Sequence, residues 1–194
     1  MKADRRKVVI GITGATGIIY GVRLLETLAK RDDAEVHLVV SRWAERTLAL
    51  EMGLSAADLK PLCHRMHPPE DVSASIASGS FEVQATAVIP CSMKTLAAVA
   101  AGYSADLISR AADVALKERR PLILVTRETP LSAIHLRNML TATEAGAMIL
   151  PPVPAFYGRP KNIEDIVMQT VSRVMDHLGF PNSVARRWEG LDER

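Results

Sequence analysis

Apolar runs of strand length alternate with amphipathic segments of helix length along almost the whole chain, an order that few folds accept. KVVIGIT, rich in β-branched residues and bounded by glycine, suits a strand buried on both faces. Residues 18–30 follow, with Ile18, Val22, Leu25 and Leu28 near helical spacing. AEVHLVVS reads as a second strand and RWAERTLALEMG as a helix stopped at Gly53, after which Ser55 and Asp58 have capping-box spacing. QATAVIPCS, PLILVTRE and AMILPPVPAF are the remaining predicted strands, separated by the helical segments MKTLAAVAAG, ADLISRAADVALKERR and LSAIHLRNMLTATEAG. Asn162 caps a last helix that Gly179 ends. The polar, proline-broken, serine-rich stretch HRMHPPEDVSASIASGS predicts a long functional loop or small excursion. Such alternation predicts an open, mostly parallel, doubly wound α/β sheet, in which ligands sit where strands hand over to helices at their carboxyl ends.

With 194 residues, 48% of them hydrophobic, the chain suits one domain over 1–194, and residues 180–194 form a tail beyond the last helix. Its 24 Lys and Arg against 22 Asp and Glu leave a formal charge of +2, too weak a field for general nucleic-acid binding. Cys63 and Cys91 have neither disulfide-framework nor C-x-x-C spacing, so a reducing compartment is the simpler expectation. Lys2, Arg5, Arg6 and Lys7 before an apolar stretch imitate a secretory signal. The stretch carries four glycines and no A-x-A pattern, and it runs into a charged amphipathic segment. A cytoplasmic protein without a membrane span is expected. The histidines at 37, 64, 67, 135 and 177 lack ligand spacing, and no catalytic metal is expected.

The strand–helix junctions are therefore where ligand chemistry is expected. GITGATGIIYG has glycines at 11, 14, 17 and 21, but Thr13 stands at the middle glycine of a dinucleotide fingerprint. The second strand ends in Ser41 and Arg42 rather than a ribose-binding carboxylate. Arg42 could meet a 2′-phosphate, yet a mononucleotide fits better, and a ligand-free tight turn stays open for this loop alone. Thr16 places a hydroxyl at a helix N-terminus, where free N–H groups favour a phosphate or a carbonyl-rich ring edge. PCSMKT repeats the device with Ser92, Met93, Lys94 and Thr95. Cys91 invites a nucleophile reading, but no histidine is near it in sequence and a packing role is favoured. Arg110 and Lys117 share a helical face with Asp106 and Asp113 interleaved, which composition alone reads as a solvated, ion-paired surface. Arg127, Glu128 and Thr129 directly follow a buried strand, where a charge is costly without a partner or ligand. Tyr157 comes with a nearby cation, Arg159, and Arg173 lies mid-helix among apolar residues.

GITGATG, ASGSF, the block from PCSMKT to RETPL, MLTATEAGAMILPPVPAFY and DIVMQTVSRVMDHLG together resemble the flavin prenyltransferases of the UbiX type, over nearly the whole chain. The resemblance implies a Rossmann-like or flavodoxin-like domain that binds FMN, as a dodecamer with active sites at subunit interfaces. It implies transfer of a dimethylallyl group from dimethylallyl monophosphate to N5 and C6 of reduced FMN. The prenylated FMN then goes to a UbiD-type decarboxylase. Gly14, Ala15, Thr16, Ser41, Ser92, Met93, Lys94, Thr95 and Arg127 match the flavin-binding loops. Glu51 matches an acidic residue near the ring-closing step; Arg110, Lys117, Glu128, Tyr157 and Arg173 match the pocket for the allylic phosphate, and Trp188 a C-terminal tryptophan that helps cover it. Thr16 stands where many members have serine; the added methyl keeps the hydroxyl and restricts its rotamers. Fixed cations and a phenol suit a departing phosphate, and a carboxylate, Glu51 or Glu128, or the released phosphate suits removal of the C6 proton. Two rivals are an FMN-dependent phosphopantothenoylcysteine-type decarboxylase and a noncatalytic FMN-binding subunit of an aromatic-acid decarboxylase. The first should show a histidine base and an Asn-rich loop; the second has no need of the cationic set.

Overall fold

The computed structural model describes residues 5–188 and residue 190; Lys2 of the basic N-terminus and positions 189 and 191–194 of the expected tail lie outside the described residues. Its strands are β1 (Arg6–Ile12), β2 (Ala34–Val40), β3 (Arg65–His67), β4 (Ala85–Cys91), β5 (Leu122–Thr126) and β6 (Met148–Ile149). They form one sheet in the order β3-β2-β1-β4-β5-β6, and every pairing is parallel. The helices are α1 (Ile18–Ala29), α2 (Arg42–Met52), α3 (Ala56–Leu59), α4 (Met93–Ala100), α5 (Leu107–Lys117), α6 (Ala133–Glu144) and α7 (Ile163–His177). This is the expected doubly wound fold. With the short edge strand β3 the order is that of a Rossmann sheet; without it the remaining strands keep the flavodoxin order. In either description the winding reverses between β1 and β4, and a crevice opens there.

Because successive strand side chains point to opposite faces, β1 feeds two cores. Val8, Ile10 and Ile12 pack with residues of α1, α2 and α7 such as Leu25, Leu48 and Val174. Val9, with Val39, Val88 and Leu124, packs on the other face against Leu96 of α4 and Ile108 of α5. Burying one such side chain completely contributes about 1.5–3 kcal/mol, so covering both faces is what holds a parallel sheet together.

Two expectations are corrected. The segment predicted as a long loop or small excursion contains β3, where His37 pairs with Arg65 and Val39 with His67; a three-residue strand is too short to show alternation. Conversely, AMILPPVPAF supplies only Met148–Ile149, because Pro151 and Pro152 have no N–H to continue the ladder.

The histidines of β2 and β3 are not the isolated residues their spacing implies. His37 Nδ1 and His67 Nε2 lie 2.9 Å apart, the rings stack with centroids at 5.2 Å, and Glu35 Oε1 is 3.1 Å from His37 Nε2. The Phe81 ring packs edge-on against His37. Both histidines are buried, and burial pushes both below the ordinary range, His67 to about 4. Among the described residues no group of three metal-ligating side chains forms, and no helix is long and apolar enough to cross a membrane.

Candidate active site

The carboxyl edge of the sheet carries three adjoining clefts. The first, about 400 Å³, lies at the switch point between the ends of β1, β2 and β4, and is lined by Thr13, Gly14, Ser41, Trp43, Ser92 and Thr95, with Pro69 and Glu70 closing one side. Ser41 and Ser92 are the N-caps of α2 and α4: their hydroxyls accept from Ala44 N at 3.2 Å and Thr95 N at 3.3 Å. The first amides of each helix remain as donors toward the cleft. Thr13, which counted in the sequence only as a missing glycine, ties the two junctions together. Its buried hydroxyl donates to Pro90 O at 2.7 Å and accepts from Ser92 N at 2.8 Å. A Cβ on Gly14 would stand 2.5 Å from Cβ of Trp43, and Gly17 takes a left-handed φ of 88° before α1. These two glycines are explained by helix packing and turn geometry.

The second cleft, also about 400 Å³, is lined by Thr16, Gly17, Tyr20, Thr126, Arg127 and Glu128, with Pro151, Pro152 and Val153 opposite. Arg127 N donates to Cys91 O at 3.1 Å, holding the loop after β5 against β4. Thr126 lines this cleft with its Oγ1 buried and unpartnered, an orphan of the kind a bound ligand satisfies. Glu51, in the last turn of α2, reaches back to α1: its carboxylate accepts from Gly17 N and Ile18 N, each at 3.0 Å. The α1 amides that the sequence offered to a phosphate are therefore taken by a side chain, which neutralises the positive end of that helix itself. Ala15 lies between these clefts on the β1–α1 loop, half-buried.

Pro151 and Val153 also border the third and largest cleft, about 530 Å³, where Tyr157, Arg173 and Trp188 come together with His177, Arg186 and Arg187. Arg173 points outward from α7, its side chain 58% exposed, and pairs with Asp176 at 3.2 Å. Tyr157 and Trp188 meet edge to face, with centroids 5.6 Å apart.

Arg110 and Lys117 do not join this group within one chain. They stand on α5, which packs on the sheet face opposite α7. Arg110 pairs with Asp113 at 2.8 Å and donates to Ala77 O, and Lys117 pairs with Glu118. Asp106 caps α5, accepting from Ser109 N at 2.8 Å, and pairs with no cation among the described residues. Cys91 is fully buried, and burial pushes its thiol up to about 12, which leaves the packing role. Asp176, Asn182 and Arg187 did not stand out in the sequence, since a helix-end aspartate and the polar residues beyond the helix carry no motif.

Residues 1–175 match the family model described as Flavoprotein. A probable UbiX-like flavin prenyltransferase of Streptomyces sp. (strain D7) is 51% identical over 185 residues, covering 95% of this chain and 92% of that protein. The structure of AnUbiX (PadA1) in complex with FMN and dimethylallyl pyrophosphate superposes with a TM-score of 0.93 at 49% identity, over 97% of this chain and all of the other. A dodecameric FMN-dependent UbiX-like decarboxylase from Escherichia coli O157:H7 gives a TM-score of 0.92 at 50% identity, over 95% of this chain and all of the other.

Proposed function

The chain belongs to the flavoprotein family and, within it, to the UbiX-like flavin prenyltransferases, and from that premise we propose what each part of the three clefts does. It is a transferase that prenylates FMN. The observation that supports the assignment of roles is the shared wall of Pro151 and Val153, which lines both the cleft of Tyr157 and Arg173 and the cleft of Thr16, Thr126 and Arg127.

Gly14, Ala15, Thr16, Ser41, the run from Ser92 through Met93 and Lys94 to Thr95, and Arg127 hold FMN. The residues suit it: two capped helix N-termini offer backbone donors, and the Thr126 hydroxyl lacks a partner. Bound and reduced, FMN supplies the electron-rich N5 and C6 that accept the allylic group. Arg173 and Tyr157 take the phosphate of dimethylallyl monophosphate. As its C–O bond lengthens, negative charge grows on the phosphate, and a guanidinium and a phenol fixed beside it stabilise that charge more than the ground state. Trp188 closes the far end and limits water. Glu51 or Glu128 takes the proton that ring closure releases. Arg110 and Lys117 belong to the same chemistry only if a second copy of the chain brings its α5 to this edge. Assembly as a homo-oligomer, with the dodecamer of the E. coli relative as the model, supplies that copy.

The product serves a UbiD-type decarboxylase in the cytoplasm. The cysteine-decarboxylase rival lacks support, because the histidine among the cleft-lining residues, His177, sits at the Trp188 end, away from Ser92. A noncatalytic flavin carrier has no use for the cations of the third cleft. Anaerobic incubation with reduced FMN and dimethylallyl monophosphate should yield prenylated FMN by mass spectrometry; unmodified FMN alone, from folded protein, overturns the reading.

A further inference from the structure

Asp176 lies in the last turn of α7, three residues beyond Arg173, with its side chain 19% exposed. A carboxylate there faces the negative end of the helix dipole and needs cations. Arg187 supplies the stronger contact, donating from NH2 to Oδ1 at 2.6 Å and from NH1 to Oδ2 at 3.1 Å. Arg173 makes a single bond to Oδ2 at 3.2 Å. Asn182 completes the cluster: its Nδ2 donates to Asp176 Oδ1 at 2.9 Å, its Oδ1 accepts from Ser172 Oγ at 2.8 Å, and its carbonyl accepts from Arg187 NH2 at 3.0 Å. Together these contacts hold the Asp176 carboxyl below the ordinary range, the Arg187 hydrogen bond first among them. The residue after Arg187 is Trp188, whose ring meets Tyr157.

Charge counting shows what the clasp does. One carboxylate with two guanidiniums leaves this cluster one positive charge, beside that of Arg186 in the same cleft, and the bidentate pair is the one that consumes the carboxylate. Without Arg187, Asp176 would pair with Arg173 and cancel it.

We propose that Arg187 is a positioning residue for the donor end of the cleft: by occupying Asp176 it leaves the charge of Arg173 for a phosphate, and by fastening the chain after α7 it seats Trp188 against Tyr157. This rests on the prenyl-transfer reading of the same cleft. In Arg187→Gln the KM for dimethylallyl monophosphate should rise about tenfold while FMN affinity stays within about twofold. Adding Asp176→Asn should recover most of that loss, because the carboxylate no longer competes for Arg173, whereas a purely structural strap would stay broken in the double variant. Trp188 emission, read in a Trp43→Phe background, should shift to the red in Arg187→Gln. The same variants are also titrated with inorganic phosphate, so that the clasp is tested even if no prenylated flavin forms. An unchanged KM and phosphate affinity in Arg187→Gln overturns the proposal, and so does a double variant as impaired as the single one.

Discussion

Arg173→Ala should keep its FMN and lose about two to three orders of magnitude in kcat/KM for the allylic phosphate, the usual cost of removing one preorganised partner of a developing negative charge. Tyr157→Phe, which removes a neutral donor and keeps the ring that packs on Trp188, should lose about tenfold. The ordering follows from charge. The guanidinium is exposed to the cleft and only weakly engaged with Asp176, so most of its interaction energy remains to be gained as the phosphate departs. The check is a steady-state measurement of prenylated flavin beside a flavin titration of the same variants. If FMN affinity falls as much as turnover, both residues hold flavin rather than the leaving group.

Acid should destabilise the protein through a cluster that lines none of the three clefts. His67 stays neutral in the folded protein down to about pH 4, against about 6.5 in an unfolded chain, and His37 is shifted the same way. Between those values the unfolded state binds the proton and the folded state does not. Stability is therefore complete above about pH 6.5 and drains as pH falls toward 4, by about 3 kcal/mol for His67. The groups around the pair set its balance: burial and the Arg65 guanidinium oppose protonation of both rings, while Glu35 favours it at His37 and Asp71 at His67. Urea unfolding at several pH values measures the slope. His67→Asn should flatten it over that window, and an unchanged slope would mean that other groups carry the acid sensitivity.

The sheet was legible because parallel strands buried on both faces carry continuous apolar runs, and β1, β4 and β5 each hold one, as does β2 from Leu38 to Val40 after Glu35 and His37. β3 was not, since Arg65–His67 has no pattern of its own and is a strand only by pairing with β2. The junctions were legible for a topological reason: once strands and helices alternate, the carboxyl ends are the places to look, and Thr13, Ser41, Ser92 and Arg127 all stand there. What spacing could not convey was partnership at a distance. Glu51 caps α1 from 34 residues away, and Arg187 fastens to Asp176 across the chain that follows α7. The spacing of Arg110 and Lys117 located them on one helical face, but a helix face says nothing about the side of the sheet on which the helix lies. That side, opposite α7, is what makes a second copy necessary.

The most direct test of a cleft assembled from two copies uses Arg173→Ala and Lys117→Ala, each expected to be nearly inactive alone. Co-expressed and purified as mixed oligomers, they should recover prenylated FMN formation, because some clefts then draw an intact Arg173 from one copy and an intact Lys117 from its neighbour. Mixed oligomers no more active than either parent would contradict the account.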